Sequence, residues 1–332
     1  MALTGTTLTY GVGSAGGNRE DLADTIYDLF PDDTHFLTNL DKTSASATLH
    51  EWLGDTIVSP GSNINTEGAD GEFSSIVSPI RYANYTQIFK KEFIVSGTQE
   101  AVSKAGRRTE GARQSVKQMR EIKNDVEYAL VRNQVGTGGG ATTGRSLASM
   151  ENWIGAGETP SASSAAREVR ATSTASSTTA AISSKVAGAV TDGSTTGALT
   201  ETAIQLALEG AWNEGGDVDT IAVSATVKRA MADFTGVAQR QVDVGRGAQA
   251  PIVGAVDIYV SDFGSHRILL HRHVRTSVAL CVDSALWACS TLRDFRMERL
   301  AKTGDGDKYS ILFEGTLEAR NYLGNSKVSA IG

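Results

Sequence analysis

Three short stretches of this sequence contain residue types that could do chemistry. The first, at residues 139–146, reads Gly-Gly-Ala-Thr-Thr-Gly-Arg-Ser and matches a phosphate-binding loop, G-x-x-x-x-G-K-[ST], except that Arg145 replaces the lysine. That motif needs a strand before it and a helix after it, so that backbone N–H groups at the helix start meet the phosphates. Because a long helical pattern precedes this stretch, we expect a flexible turn and no nucleotide site.

The second stretch, His271-Arg272-His273, could place two imidazoles on one face of a strand, as a pair of metal ligands requires. No cysteine or carboxylate at a suitable spacing accompanies them, and Arg272 and Arg275 add positive charge that repels a metal cation. The pattern therefore predicts a surface strand and no metal site.

The third stretch, Asp305-Gly306-Asp307, resembles the start of a cation-binding loop. The glutamate that completes a calcium loop is not in place downstream. We therefore expect a hairpin turn between Leu300 and Tyr309.

The remaining nucleophiles form no catalytic pattern. The serines include no Gly-x-Ser-x-Gly elbow, and Cys281 and Cys289 form neither a CxxC pair nor a metal-ligand spacing. We expect both thiols to be buried and reduced. The sequence thus predicts no catalytic residue, no cofactor and no metal, and an intracellular hydrolase is a hypothesis with only these weak sites in its favour.

Length, charge and hydropathy limit the class of protein further. The 332 residues suffice for about two domains. A net charge of -7 argues against a free-standing nucleic-acid-binding protein, but it is compatible with a protein that encloses nucleic acid without binding it tightly. No apolar run approaches the ~20 residues of a membrane span, and the N-terminus lacks the parts of a signal peptide. We therefore expect synthesis in the cytoplasm and no membrane partner.

The elements that must position these residues begin with extended chain. Residues 1–47 are predicted to be a thin N-terminal arm with one short helix at Asp21–Phe30. Residues from 48 to 96 alternate and turn around Pro60 and Pro79, with too few large apolar side chains to bury themselves. A hairpin of that length is marginal alone, so it needs a surface that belongs to something else.

One long helix is predicted from Thr98 to Val135, because apolar residues recur there at helical spacing and no proline interrupts them. Thr98 is the expected N-cap, and Gly136 the expected end. About 38 residues would form a rod of roughly 57 Å. Gly106 and Gly111 allow a bend or a later start.

This helix is the one locally basic element of an acidic chain. Its basic residues include Arg113, Lys117 and Arg120, interspersed with glutamates and aspartates. A solvated face with internal ion pairs is the favoured interpretation, and contact with enclosed DNA is the alternative.

The rest of the chain mixes strands and helices. The stretch 155–200 is rich in Ser, Thr, Ala and Gly and is predicted to be loop or extended surface structure. Further elements are predicted at Glu201–Asn213 (helix), Thr220–Val223 (strand), Ala225–Phe234 (helix), and as strands at Ala255–Val260, His266–His271, Thr276–Val282, Trp287–Leu292 and Tyr309–Asn321. Because the strands do not alternate regularly with helices, the class is α+β (mixed).

In this order of elements the chain resembles the major capsid proteins of tailed bacteriophages with the Hong Kong 97 fold. The resemblance is carried by Val218-Asp-Thr-Ile-Ala-Val-Ser224, Asp257-Ile-Tyr-Val-Ser-Asp-Phe-Gly264, Leu300-Ala-Lys-Thr-Gly-Asp305 and Glu318-Ala-Arg-Asn321. It runs from about Asp21 to the end and is weakest across residues 157–200.

The resemblance implies a domain plan. Residues 1–47 would be the N-terminal arm and 48–96 the extended loop that lies over a neighbouring subunit. Residues 97–200, completed by 291–305, would form the peripheral domain with the spine helix. Residues 201–290, completed by 306–332, would form the axial domain, which meets its copies around five- and six-fold axes.

The resemblance also implies partners. Identical subunits would assemble as pentamers and hexamers into an icosahedral shell around double-stranded DNA, without sequence-specific binding, in the host bacterial cytoplasm. A portal protein, a separate scaffolding protein and a decoration protein are further expected partners. Intersubunit contacts of the extended loop are expected from Asp55, Glu67, Asp70, Glu72 and Arg81.

Two points temper this plan. The stretch from Asp55 to Gln87 contains no lysine, so the covalent cross-link of some relatives is not expected.

A phage tail or surface adhesin is the alternative hypothesis, since it explains the glycine content and the short strands, although it does not explain the long basic helix.

Overall fold

Two β-sheets, each packed against one of the two longest helices, organise the fold. The computed structural model describes residues 25–27, 29, 34–55, 57, 60–68, 70–71, 76, 78–155, 168–170, 182–183, 186–187, 196–234 and 257–332. The helices are α1 (His35–Asn39), α2 (Gly97–Ala101), α3 (Glu110–Val131), α4 (Met150–Ile154), α5 (Glu201–Asn213) and α6 (Ala225–Ala232). The strands are β1 (Asp41–Ser44), β2 (Leu49–Gly54), β3 (Ile80–Tyr85), β4 (Gln87–Ser96), β5 (Glu168–Arg170), β6 (Ile182–Ser183), β7 (Val186–Ala187), β8 (Thr220–Val223), β9 (Ile258–Ser261), β10 (Gly264–Leu270), β11 (Ala279–Val282), β12 (Trp287–Leu300), β13 (Gly306–Ala319) and β14 (Ser326–Ser329).

The first sheet has four strands in the order β1-β12-β13-β4. β12 and β13 form a long antiparallel hairpin, β4 joins β13 antiparallel, and β1 joins β12 in parallel. Successive side chains of a strand point to opposite faces. On one face, Ile311, Phe313 and Leu317 of β13 share a buried core with Ile122 and Val126 of α3. This core holds the long helix along the sheet.

The second sheet has six strands in the order β5-β14-β11-β8-β10-β9. Ile204 and Leu208 of α5 share a separate core with Ile221 and Val223 of β8. α5 begins where the Thr200 side chain accepts a hydrogen bond from the Ala203 N–H, which satisfies a free helical donor.

A third, two-stranded sheet lies at the base of the extended loop. β2 and β3 pair antiparallel, from Leu49 opposite Tyr85 to Gly54 opposite Ile80. The predicted loop 48–96 therefore contains a hairpin base and a tip between residues 54 and 80, and it also contains β4, which pairs with β13 of the first sheet.

The long helix begins at Glu110 instead of Thr98, which is the later start that Gly106 and Gly111 allowed. α3 is 22 residues long instead of about 38, because α2 ends at Ala101 and the chain is not helical from Val102 to Thr109. Within this stretch Gly106 has a φ of +70°, which glycine adopts at little cost. The carboxylate of Glu100, in α2, accepts a hydrogen bond of 3.0 Å from the N–H of Glu110, the first residue of α3. A side chain from the preceding helix thus caps α3.

The helix also ends four residues early, since tertiary hydrogen bonds replace helical ones. The Gln134 N–H donates to the Ser149 hydroxyl at 3.3 Å, and the Gln134 side chain donates to Gln87 Oε1 at 2.6 Å and to the Leu147 carbonyl at 3.0 Å. The strand β4 and the chain before α4 therefore fix residues that were predicted to be helical.

The other predicted elements have mixed outcomes. α5 and β8 match their predictions to the residue, and α6 ends at Ala232 instead of Phe234. The helix predicted at Asp21–Phe30 lies largely outside the described residues, and residues 25–27 and 29 are not helical. α1 was not predicted. Most of the Ser/Thr-rich stretch lies outside the described residues.

Candidate functional site

The tip of the extended loop exposes large apolar side chains. Ile57, Ile64 and Ile76 are 99%, 92% and 96% exposed. Such side chains contribute stability only when something covers them, and exposed apolar groups of this kind mark interaction sites.

The loop residues predicted to make intersubunit contacts have different positions. Asp55, Glu67 and Asp70 are exposed on the tip. Arg81 lies on β3 and pairs within the hairpin with Glu51 at 3.5 Å. Glu72 lies outside the described residues.

A carboxylate at the base of the hairpin joins four strands. Glu318 of β13 accepts hydrogen bonds at one oxygen, Oε2, from His50 at 3.1 Å, Ser290 at 3.1 Å and Thr43 at 3.2 Å. The hydrogen bond from His50 is the main reason that the pKa of the Glu318 carboxyl lies below its ordinary value, with Ser290 and Thr43 adding to it against a smaller opposing effect of burial. The cluster thus attaches β2 to β1, β12 and β13.

This cluster does not have the geometry of a hydrolase. Ser290 and Glu318 both meet the same nitrogen, Nε2, of His50, whereas in a catalytic triad the carboxylate holds the other ring nitrogen. Ser290 is also fully buried, out of reach of a substrate. The arrangement serves to position the hairpin.

A buried asparagine, Asn84 of β3, also attaches the hairpin to the body of the subunit. The Asn84 side chain donates to the carbonyls of Ala148 and Leu317 at 3.0 and 2.8 Å and accepts from the N–H groups of Tyr85 and Ala148 at 2.9 and 2.8 Å. All four of its hydrogen-bonding positions are therefore used. Sequence reasoning missed Asn84 and His50, because their partners lie far away in the chain.

The stretch that resembles a phosphate-binding loop has a structural role. The Gly140 N–H donates to the Thr143 carbonyl in a turn, as expected. Arg145, in the lysine position, pairs with the buried Glu314 at 2.6 Å, and Arg293 pairs with the other oxygen of Glu314, also at 2.6 Å. The Arg145 side chain therefore forms an ion pair with Glu314 of the first sheet, in the position where a phosphate-binding loop would have its lysine.

A second buried carboxylate links the long helix to the N-terminal arm. Glu127 accepts hydrogen bonds of 2.7 Å from the N–H groups of Phe36 and Leu37 at the start of α1. His271 Nε2 lies 2.9 Å from the same carboxylate. Because the His273 N–H donates to His271 Nδ1, Nε2 must carry the proton.

The prediction of a surface strand at His271 is therefore wrong. His271 follows the end of β10 and is fully buried between Glu127 and the ring of Phe36. The hydrogen bond to Glu127 of α3, which is 144 residues away in the sequence, offsets the free-energy cost of burying the polar His271 ring. Among the described residues, no group of three or more potential ligands could hold a metal ion.

The other candidate chemistry also has structural explanations. The turn after Leu300 joins β12 to β13, as predicted, and the pKa of Asp307 is lowered by hydrogen bonds from Arg299 and Lys302. Cys281 and Cys289 are free and buried, which raises their pKa values to about 12 and about 11. Thiols with such pKa values are unreactive at neutral pH.

The basic residues predicted on the long helix lie among acidic neighbours. Arg113 is 3.6 Å from Glu110, and Lys117 is 3.8 Å from Glu121. Arg120 also lies on α3, on an exposed part of its surface.

No helix within the described ranges is long and apolar enough to cross a membrane.

Comparison with known proteins places this geometry in a family. A family model described as SU10 major capsid protein matches residues 2–331. The major capsid protein of Escherichia phage Phieco32 is 33% identical over 122 residues, which are 36% of this chain and 35% of that protein. The alignment thus spans about a third of that relative.

Solved structures share the fold over nearly the whole chain. The capsid of the native GTA particle has a TM-score of 0.62 at 9% identity and covers 98% of this chain and 99% of its own. The capsid of the cyanophage P-SCSP1u has a TM-score of 0.61 at 13% identity, with coverages of 97% and 95%. A structure of phage G major capsid and decoration proteins has a TM-score of 0.50 at 12% identity, with coverages of 95% and 93%.

These matches confirm the α+β class and the Hong Kong 97 type of capsid fold that the sequence predicted. They also confirm the resemblance to tailed-phage major capsid proteins and set aside the adhesin alternative. The extended loop with exposed apolar side chains and the long helix along a four-stranded sheet agree with these matches. Because the family model matches residues 2–331, the chain belongs to the SU10 major capsid protein family.

Proposed function

We propose that this protein is a shell subunit without catalytic activity. Identical copies assemble as pentamers and hexamers into the icosahedral shell that encloses the double-stranded DNA genome of a tailed phage. The observation that carries the proposal is the near-complete exposure of three isoleucines on one loop. A chain that functions alone would gain nothing from them.

The energetic argument uses the burial of these side chains. Covering one isoleucine contributes about 1.5–3 kcal/mol, so three contribute roughly 4.5–9 kcal/mol per loop before the entropy of ordering is subtracted. One such contact is modest. Repeated at every subunit of a closed lattice, it favours a shell over free subunits.

The carboxylates of the loop define its electrostatic role. Between residues 54 and 80 the chain contains Asp55, Glu67, Asp70 and Glu72 and no basic residue. We assign these four and Arg81 to the contact with a neighbouring subunit, where opposite charge improves specificity and the rate of association.

The enclosed DNA is expected to meet the shell without sequence-specific binding. The ion pairs of Arg113 and Lys117 support a solvated helix face. Replacing Arg113, Lys117 and Arg120 by glutamine should therefore leave the DNA content of purified shells unchanged at low and high salt. A salt-dependent loss of DNA from the variant shells would instead assign this face to the genome.

Other partners complete the proposal. A portal protein, a separate scaffolding protein and assembly in the host cytoplasm, followed by residence in the virion, are inferred from the capsid family. The phage G structure contains decoration proteins, which supports a decoration protein as a further partner.

Electron microscopy of the purified protein tests the proposal. We expect closed shells tens of nanometres across from the full-length chain, and none from a chain that lacks residues 60–80. Well-formed shells without these residues would refute the role of the loop, and dispersed monomers of the full-length chain would refute the shell itself.

A further inference from the structure

The long strand β12 is paired on one side as far as its last residue and on the other side over only part of its length. β13 pairs with it up to Leu300, whereas β1 pairs with it only from Ala288 to Thr291. Among the described residues, no strand lies beside residues 293–300 on that outer side. Residues 296–300 are all exposed. We call residues 296–300 the free edge of β12.

The free edge is able to receive another strand. Its register with β13 runs without interruption, since the irregular positions of β12 lie before Arg296. A regular exposed edge presents backbone N–H and C=O groups that pair with an added strand, and strand addition is a common mode of protein recognition. Met297, which is 49% exposed, and Leu300, which is 38% exposed, add apolar surface.

The charges of the free edge restrict its partner. Charged side chains usually protect an edge strand from unwanted pairing. Here they have both signs, with Arg296 and Arg299 on either side of Glu298. Such a mixture opposes most strands and favours one that places opposite charges face to face. A second β12 strand that runs in the opposite direction does so.

We propose that the free edge pairs with the free edge of a second copy of this chain, in antiparallel orientation, across a two-fold axis that passes through Met297. This inference rests on the proposed function, because an icosahedral shell contains two-fold axes between neighbouring pentamers and hexamers. Each copy contributes the same residues to the contact. The first sheets of the two copies then form one continuous sheet.

Strand geometry and charge select the position of the axis. Directly opposite residues of an antiparallel pair share a face, and side chains alternate along a strand, so the axis passes through a residue rather than between two. An axis through Arg296, Glu298 or Arg299 would oppose two like charges, which is destabilising. Leu300 is the last residue of β12, so an axis there would leave half of the contact outside the strand. Met297 is the remaining position.

The axis through Met297 brings opposite charges together. Arg296 of each copy then lies opposite Glu298 of the other, and each of these two pairs contributes about 0.2–1 kcal/mol. In the free subunit Arg296 and Glu298 pair with each other at 3.2 Å, with both side chains about half exposed. Joining two copies therefore turns two exposed pairs into a network of four charges, which is more stabilising than isolated surface pairs.

A disulfide at the axis tests the contact. Directly opposite residues of antiparallel strands have Cα atoms about 4.5–5.5 Å apart, which lies within the range of a disulfide. Shells of the variant Met297→Cys should therefore form disulfide-linked dimers under a mild oxidant, because a residue meets its own copy at a two-fold axis. The native Cys281 and Cys289 are buried and contribute none.

A second exposed position provides the control for this experiment. Val116 on α3 is 58% exposed, and shells of Val116→Cys should form at least tenfold fewer dimers than shells of Met297→Cys. Intact shells of Met297→Cys with no more dimers than this control would overturn the pairing of the free edges. The shell proposal itself would stand, since the shells would still have formed.

Charge reversal tests the register. Arg296→Glu places four carboxylates at the axis, and Glu298→Arg places four basic groups there, so each variant alone should give at least fivefold fewer shells than the natural chain at low salt. Because both side chains are exposed, the unassembled variants should keep the unfolding midpoint of the natural chain.

A mixture of the two charge variants separates contacts between subunits from contacts within one. Each variant chain lacks its internal pair, but opposite charges face each other wherever the two variants meet at the axis. The mixture should therefore recover shells towards the yield of the natural chain. Normal yields from the single variants, or a mixture that assembles no better than either variant alone, would refute the axis through Met297.

Discussion

At the scale of single residues, buried carboxylates hold distant parts of the chain together. Glu127, Glu314 and Glu318 each meet partners from two or three other elements. A buried ionised group is costly unless it is paired, so removal of its partners or of the carboxylate itself is costly as well. These residues, rather than any catalytic group, are the sensitive positions of the fold.

Glu127→Ala should destabilise the subunit by about 3 kcal/mol, because two N–H groups of α1 and the buried His271 lose their acceptor. Urea unfolding of unassembled subunits measures the change in the free energy of unfolding. Glu121→Ala, which removes only the exposed pair with Lys117, is the control and should change stability by less than about 0.5 kcal/mol. Equal effects of the two substitutions would show that the Glu127 cluster adds nothing.

Glu318 predicts a dependence of stability on pH. Its pKa is lower in the folded chain than in the unfolded one, so its contribution is complete above the unfolded value of about 4.3 and is lost as pH falls through the folded value. Unfolding midpoints measured below about pH 5 should therefore fall less steeply with pH for Glu318→Gln than for the natural chain. Identical slopes would contradict the assignment.

At the scale of elements, glycine decides where the long helix begins. Gly106→Ala should destabilise the chain by about 1 kcal/mol, because its φ of +70° is strained for alanine. Gly111→Ala, inside α3, should stabilise it by up to about 1 kcal/mol, since alanine favours helix and the added carbon meets Tyr309 at an ordinary 3.4 Å. Thermal unfolding gives both signs, and a stabilising Gly106→Ala would contradict the observed break.

Elements whose signals are local could be predicted from the sequence. α5 and β8 were predicted to the residue, because the apolar period of α5 and the glycines at 215 and 216 that follow it are local signals. The later start of α3 was one of the possibilities that its glycines allowed, but its C-terminal end could not be predicted, since Gln134 takes partners that only the folded chain provides. The same limit hid the pairing of Glu127 with His271 and the junction at His50.

At the scale of the whole molecule, the subunit is well packed in its body and open at its loop. The body has two cores, and strands β4 and β13 connect it to the hairpin base. The extended loop exposes isoleucines that only another molecule can cover, and its segment between residues 54 and 80 contains four acidic residues and no basic one. The candidate loop could be located from the sequence because it has too few large apolar residues to bury itself, but the position of its base required the strand register.

Shell formation by a loop variant tests this account most directly. Replacing Ile57, Ile64 and Ile76 together by serine changes only exposed side chains, so the purified variant should keep the unfolding midpoint of the natural chain. Electron microscopy under conditions in which the natural chain closes into shells should then show folded, dispersed subunits. Normal shells from the triple variant would contradict the claim that these side chains complete a neighbouring copy.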